Sequence, residues 1–365
     1  MTASTIFIML IGLAWIGALP GSLPAAEMPT GTFSIVAYDS LTGELGVAVQ
    51  SKAFSVGSSV AWAEAGVGAV ATQASTNQSF GPRGLDYLRE GLGSRDVLER
   101  LLASDPGREN RQVGIVDANG NAVNFTGSKC LAWAGGVAGK NFACQGNILV
   151  SEKVVAAMTE AFEKTQGELA ERMLKALVAA QAAGGDKRGM QSAALLVVRP
   201  SDEYPQYRYR YIDLRVEDHL DPINELIRVY GIHEKSDLLE AHVNYAASYE
   251  KSGKHGMATR ERNIVGGMLK KTLADSAPDP GYLNNLAWFC ATNGLFLPEA
   301  LEAAKRAAEI SPADTNILDT LAEAYFRSGM PEKAIETIEI AIRIDPQSDY
   351  YRGQLDRFKQ ARPAK

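Results

Sequence analysis

A chain of 365 residues, 46% hydrophobic and 22% charged, is too long for one average domain and too apolar for a disordered one, so two globular units are expected. A net charge of −6 excludes the basic footprint of a nucleic-acid binder, and three cysteines at no zinc spacing exclude a disulfide scaffold or a zinc module. The four histidines, His219, His233, His242 and His255, all lie beyond residue 215. Imidazole catalysis and His-ligated metals are thereby excluded from the first half, unless a later segment folds back to supply the ring.

Residues 6–19, IFIMLIGLAWIGAL, form an uncharged apolar run followed by small residues up to Ala26, the pattern of a secretory signal with cleavage after that alanine. The run is shorter than the ~20 residues a membrane span requires. The expected location is secreted or periplasmic, an oxidising setting in which Cys130 and Cys144 either pair or serve as two small buried residues.

The segment 27–216 holds most of the glycines and reads as strands first. TFSIVAYD (32–39), the turn SLTGE and LGVAVQSK (45–52) form a hairpin, and GVGAVATQAS (66–75) is a further buried strand. A helix over 82–103, broken near Gly91–Gly93, precedes strands within 110–126 and 131–149, with Asn119–Gly120 at a turn. One long helix is predicted over 151–183 from Val154, Met158, Phe162, Leu169, Met173 and Leu177 at helical spacing. GGDKRGM closes it, and strands over 191–198 and 207–216 complete an α+β order. In the last strand, Tyr207-Arg208-Tyr209-Arg210-Tyr211 is period-two alternation rather than a nucleic-acid platform.

Beyond 217 the chain reads as helical. A connecting segment, 217–278, leads into two copies of a helix pair over 279–349, and 350–365 remain as a C-terminal tail. Ala300 and Ala334, Ala307 and Ala341, and Pro312 and Pro346 are each 34 residues apart, the tetratricopeptide (TPR) period. The first copy carries one extra residue in its inter-helix turn. Tyr249 and Gly253 echo Tyr325 and Gly329 and mark a degenerate third copy upstream. Two good repeats are fewer than the usual three, so the array is expected to lean on the first domain or on a partner. Cys290 falls at a core position.

For chemistry, Gly66-Val67-Gly68-x-x-Ala71 precedes a strand instead of opening a helix, and so is not a dinucleotide site. The start of the first strand, Gly31-Thr32, is more informative. If that bond is cut, Thr32 carries an α-amine of pKa near ~8 beside its own hydroxyl. A domain without histidine can build this nucleophile–base pair from a single residue. Asp186, Arg188, Gln191 and Ser192 sit in a polar loop between a helix and a buried strand, where sites often lie.

The blocks TGTFSIVAYDSLTGELGVAVQSKAFSVGSSVAWAEAGVGAVATQAS, GPRGLDYLREG, CQGNIL and GGDKRGMQSAALLVV resemble a mainly bacterial family known as domain of unknown function 1028. That family is placed in the N-terminal-nucleophile (Ntn) hydrolase superfamily, and the likeness covers about 31–215. It implies a four-layer αββα sandwich, ahead of the all-α TPR-type region. It also implies Thr32 as nucleophile, Lys52 as the cation beside it, Asp39 or Asp186 as the orienting acid, and Asn147 and Gln73 as oxyanion donors. Arg188, Gln191 and Ser192 would then contact substrate. Cleavage after Ala26 leaves Glu27 to Gly31 ahead of Thr32, so a second cut is required.

IDLRVEDHLDPINELIRVYGIH resembles a segment loosely described as peptidoglycan-binding. The implied function is amide hydrolysis, with a cell-wall peptide among the substrates, and with a protein partner on the TPR helices. The alternative is a non-catalytic sandwich that acts as a scaffold through those helices. No cofactor, metal or nucleic acid is expected, and self-association is left open.

Overall fold

The computed structural model describes residues 31–200 and 210–360. The signal-like run, the five residues ahead of Gly31 and most of the Tyr/Arg alternation at 207–211 lie outside the described residues. No described helix is long and apolar enough to cross a membrane.

The first hairpin forms as its turn chemistry requires: β1 (Thr32–Tyr38) and β2 (Leu45–Ser51) are antiparallel and in register from Thr32 opposite Ser51 to Tyr38 opposite Leu45. After a four-residue helical turn, α1 (Gly57–Val60), come β3 (Ala61–Glu64) and β4 (Gly68–Ala74). Helices α2 (Phe80–Arg89) and α3 (Ser94–Ala103) are divided at Gly91–Gly93 as expected, with Gly91 at positive φ. Strands β5 (Arg111–Asp117), β6 (Ala122–Thr126), β7 (Gly135–Gly139) and β8 (Phe142–Asn147) follow.

The single helix expected over 151–183 is instead two, α4 (Lys153–Lys164) and α5 (Leu169–Ala182). Gly167, at φ +118°, interrupts it, and the two halves fold back on each other as a hairpin. Apolar spacing alone misses this, because both halves present their stripe to one core. Strands β9 (Ser192–Val198) and β10 (Arg210–Val216) end the sheet region.

These strands make two sheets, a six-stranded one in the order β10-β9-β2-β1-β8-β7 and a four-stranded one in the order β3-β4-β5-β6. Three apolar layers hold the sandwich together. Phe33, Ile35, Met158, Phe162, Met173 and Leu177 pack the large sheet against α4 and α5. Val36, Val47, Val49, Ala69, Ala71 and Val116 fill the space between the sheets. Val70, Leu85, Leu101 and Ile115 seal the small sheet under α2 and α3. The αββα order that the family resemblance implies is therefore the observed one. β1 lies inside the large sheet between β2 and β8.

Helix α6 (Pro222–His233) places Ile223, Leu226 and Tyr230 in the outer core of the large sheet, so the sandwich runs past residue 216. Beyond it, a short π-turn leads to α7 (Leu239–Lys251), α8 (His255–Ala274), α9 (Pro280–Thr292), α10 (Leu297–Ile310), α11 (Thr315–Arg327), α12 (Pro331–Ile344) and α13 (Asp349–Gln360). Gly253, Gly294 and Gly329 all take positive φ in the turns of successive helix pairs, which supports the degenerate third copy. Ala300, Ala307, Ala334 and Ala341 are fully buried where the helices cross. Residues 350–360, read as part of a tail, lie in α13, whose Tyr351 and Phe358 close the last core. Cys290 is fully buried, as expected. Cys130 and Cys144 are unpaired, and burial pushes the Cys144 thiol up to about 12, which keeps it inert.

Candidate functional site

Alternation along a strand sends every second residue into the space between the sheets. From Val36 outward that face is apolar, but at the other end of β1 it becomes polar. Thr32 and Ser34 of β1, Ser51 of β2, Gln145 and Asn147 of β8, Gln73 of β4 and Gln112 of β5 are all buried there. Their side chains bond largely to one another, as burial demands, with Gln145 Oε1 left without a partner among the described residues. Ser34 donates to Gln73 Oε1 at 2.6 Å and accepts from Gln145 Nε2 at 2.7 Å. Gln73 Nε2 and Asn147 Nδ2 both donate to Gln112 Oε1, at 2.7 and 3.0 Å.

Thr32 stands at the mouth of this cluster, opposite Ser51 on one side and Asn147 on the other. Its Oγ1 lies 3.0 Å from Ser51 Oγ. The carbonyl of the preceding residue is held more firmly still. Gly31 O accepts from Ser51 Oγ at 2.5 Å and from Arg188 Nη2 at 2.8 Å. Arg188 is itself fixed by Asp186, which takes its Nη2 at 2.7 Å and its Nε at 3.1 Å. The Asp186 side chain is completely buried and also accepts the backbone N–H of Lys52 at 3.1 Å. A Cβ on Gly31 would stand 2.7 Å from the Asp186 carboxylate, so only glycine fits ahead of Thr32. The arrangement is an amide whose carbonyl oxygen sits between a hydroxyl and a guanidinium, with a second hydroxyl adjoining.

Of the residues expected from the sequence, Thr32, Asn147, Gln73, Asp186 and Arg188 come together here. The other four do not. Lys52 turns its ammonium outward to the Met190 carbonyl at 3.1 Å, so it reaches the site only through its backbone. Asp39 lies at the opposite end of β1, about 20 Å away by strand rise, and caps its own turn by accepting from the N–H groups of Leu41 and Thr42. Gln191 bonds Asp218 at 3.0 Å. Ser192 donates to Ala53 O and accepts from Val56 N, fixing the loop after β2.

Asn147 and Gln73 bind other side chains and the Thr32 carbonyl, not the Gly31 oxygen. The donors at that oxygen are Ser51 and Arg188. Ser51 was missed, although its place opposite Thr32 in the hairpin follows from the turn once the register is counted. A later segment does fold back: His219 donates its backbone N–H to Gln191 O at 2.7 Å. It lines an open cavity of about 400 Å³ with Lys52, Gln191 and Asp218.

The layer order and the buried polar site at the start of β1 fit the Ntn-hydrolase class of sandwich. The family model for a family of unknown function, DUF1028, matches residues 32–226, and the chain belongs to that family. A tetratricopeptide repeat model matches 297–355. The crystal structure of a Silicibacter pomeroyi protein of the same family is 34% identical, with a TM-score of 0.51, over 56% of this chain and 89% of that one. The helical half is similar to the Arabidopsis OM64 TPR domain at 14% identity and a TM-score of 0.24, over 35% of this chain and 98% of that one. Among curated proteins none matches.

Proposed function

We propose that the sandwich is an amidohydrolase whose nucleophile is Thr32, unmasked by self-cleavage of the Gly31–Thr32 bond, and that it acts outside the cytoplasm after removal of residues 1–26. The observation that carries this reading is the pair of donors on the Gly31 carbonyl oxygen, Ser51 Oγ at 2.5 Å and Arg188 Nη2 at 2.8 Å. Attack of Thr32 Oγ1 on the Gly31 carbon places a negative charge on that oxygen, where both donors already point. The hydroxyl proton passes to the Thr32 nitrogen as the C–N bond breaks, which leaves an ester. Water hydrolyses the ester, Gly31 leaves with a carboxylate, and Thr32 keeps its hydroxyl and gains a free amine. That amine then serves as general base toward an external amide. TPR repeats generally mediate protein–protein contacts, and α9–α13 would hold the partner.

The test is the intact mass of the protein purified from its own compartment. A chain beginning at Thr32, a Thr32→Ala variant that retains Gly31, and amidase activity only in the former are expected. A chain beginning at Glu27 without amidase activity would overturn the reading in favour of the scaffold. The scaffold reading has its own support in the 2% exposure of Thr32 and in the outward turn of Lys52.

A further inference from the structure

The far end of β1 opens on a second cavity, at the seam between the sandwich and the helices. Its volume is about 440 Å³, within the range of small-molecule sites. Asp39 and Leu41 contribute from the β1–β2 turn, residues 165–168 and Arg172 from the α4–α5 turn and the start of α5, and Arg260 and Ile264 from α8.

Two guanidinium groups, one from each half of the molecule, line this space with few acceptors. Arg172 has its Cζ over the Phe162 ring, 4.2 Å from the centroid, and its nearest carboxylate oxygen, on Asp39, is 3.9 Å away. Arg260 has Glu261 Oε1 at 3.7 Å, an oxygen already taken by Arg199 at 2.5 Å. Neither arginine makes a side-chain hydrogen bond to a described residue, although each is only 22% exposed. Arg172 Nε and Arg260 Nη1 are buried without an acceptor. A guanidinium offers five N–H donors, and ones this enclosed are normally satisfied.

The acids of the same wall are also underused. Glu168 Oε1 has no hydrogen-bond partner and stands 3.5 Å from His242 Nε2, and Asp39 Oδ2 has only the distant Arg172. Asp39 Oδ1 caps its own turn, but Asp39 Oδ2, Glu168 Oε1 and both guanidinium groups meet opposite charge only at salt-bridge distance, and a simple anion would leave the two acids unanswered. A ligand of zero net charge with its charges separated satisfies all four. The geometry points to a binding site for a free amino acid or short peptide with both termini free: carboxylate between Arg172 and Arg260, ammonium toward Glu168 and Asp39, and an aliphatic side chain against Leu41 and Ile264. This site is distinct from the Thr32 end and does not depend on the hydrolase reading. Because its walls come from both halves, occupancy would tighten the seam.

The test is calorimetric titration of the full chain with dialanine, N-acetyl-dialanine, dialanine amide and inorganic phosphate, paired with thermal denaturation. Dialanine is expected to bind and to raise the Tm, and removal of either terminal charge is expected to weaken binding by about tenfold or more. Arg172→Gln and Arg260→Gln are each expected to cost about tenfold in dialanine affinity. Arg172→Lys, which keeps the charge but loses the fork, covers the case in which a glutamine variant does not fold, and is expected to weaken binding without abolishing it. Failure of dialanine to bind at millimolar concentration, phosphate binding as tightly as dialanine, or affinity unchanged in the folded arginine variants would each overturn the proposal.

Discussion

Around a single bond, Gly31–Thr32, the proposed self-cleavage makes demands on individual residues specific enough to separate donor, nucleophile and spacer. Ser51 supplies one of the two donors on the Gly31 carbonyl. Its replacement by alanine is expected to slow self-cleavage by roughly 10²-fold, the usual effect of losing one oxyanion donor. A time course of intact masses checks this, with a circular-dichroism spectrum to show that the fold is kept. Gly31→Ala acts differently. Its methyl would press on the Asp186 carboxylate and spread the Asp186–Arg188 pair, so cleavage should fall by at least about tenfold although no donor is lost. If Gly31→Ala matures at the normal rate, Asp186 does not brace the site.

At the scale of elements, most of the sandwich strands and the helix pairs of the repeat region followed from short-range signals, and the site did so only in part. Thr32 was legible from the Gly31-Thr32 start of a strand in a domain without histidine, Asn147 and Gln73 only through the family resemblance, and Asp186 and Arg188 because a glycine-flanked polar loop lies between a helix and a buried strand. Lys52 and Asp39, also carried by the resemblance, lie away from Gly31–Thr32 because sequence does not show which way a residue at a strand end turns. The break at Gly167 was missed because a hairpin of two helices and one long helix bury the same stripe. No expectation covered β3, four residues long, whose place is set by pairing to β4 rather than by its own composition.

The terminal element gives a sharp test of the helical array. Phe358 is fully buried on α13 and lies 4.9 Å from the ring of Phe326 on α11. Phe358→Ala should cost about 3–5 kcal/mol. Because repeat arrays lose stability locally, the loss should appear in urea as early fraying of the last helix pair, not as unfolding of the sandwich.

For the molecule as a whole, the decisive contact is the seam. Arg199, at the end of β9, is completely buried, with Glu44 at 3.3 Å from the sandwich and Glu261 at 2.5 Å from α8, and its guanidinium lies 3.9 Å from the centroid of Tyr245 on α7. A buried pair that loses one member leaves the other uncompensated, at a cost of about 3–5 kcal/mol. Arg199→Met should therefore uncouple the halves, and calorimetry should resolve two transitions where the parent shows one. A single transition at the parent temperature would mean that the seam is held elsewhere.

The same cluster makes the seam sensitive to alkali. Burial would push the His242 imidazole down, but the carboxylates of Glu168 and Glu261 outweigh it and hold its pKa up at about 9, against an ordinary 6.5. The folded state binds this proton more tightly than the unfolded one. Its contribution is therefore complete below pH 6.5 and is lost as the pH rises through 9, to the extent of about 3 kcal/mol. Burial pushes the Glu44 carboxyl the same way, up to about 7 despite Arg199, so its share is lost between pH 4.5 and 7. The Tyr211 hydroxyl, which also faces His242, is held well above 10 and stays neutral throughout. The Tm advantage of the parent over His242→Gln should shrink steadily from pH 6.5 to 9, and a constant difference would refute the assignment.

The fit of Gly31 against Asp186 has a further consequence for the proposed hydrolase. There the residue before Thr32 would occupy the place that the acyl part of a later substrate must take, so the leader would be a cast of what the cleaved protein accepts. With the Asp186 carboxylate 2.7 Å from where a side chain would begin, that cast has no room for a branch at the α-carbon. Acyl donors of the glycyl kind, unbranched beside the carbonyl, are the ones such a mould would admit, and the discrimination would be steric, built into the fold before any substrate arrives.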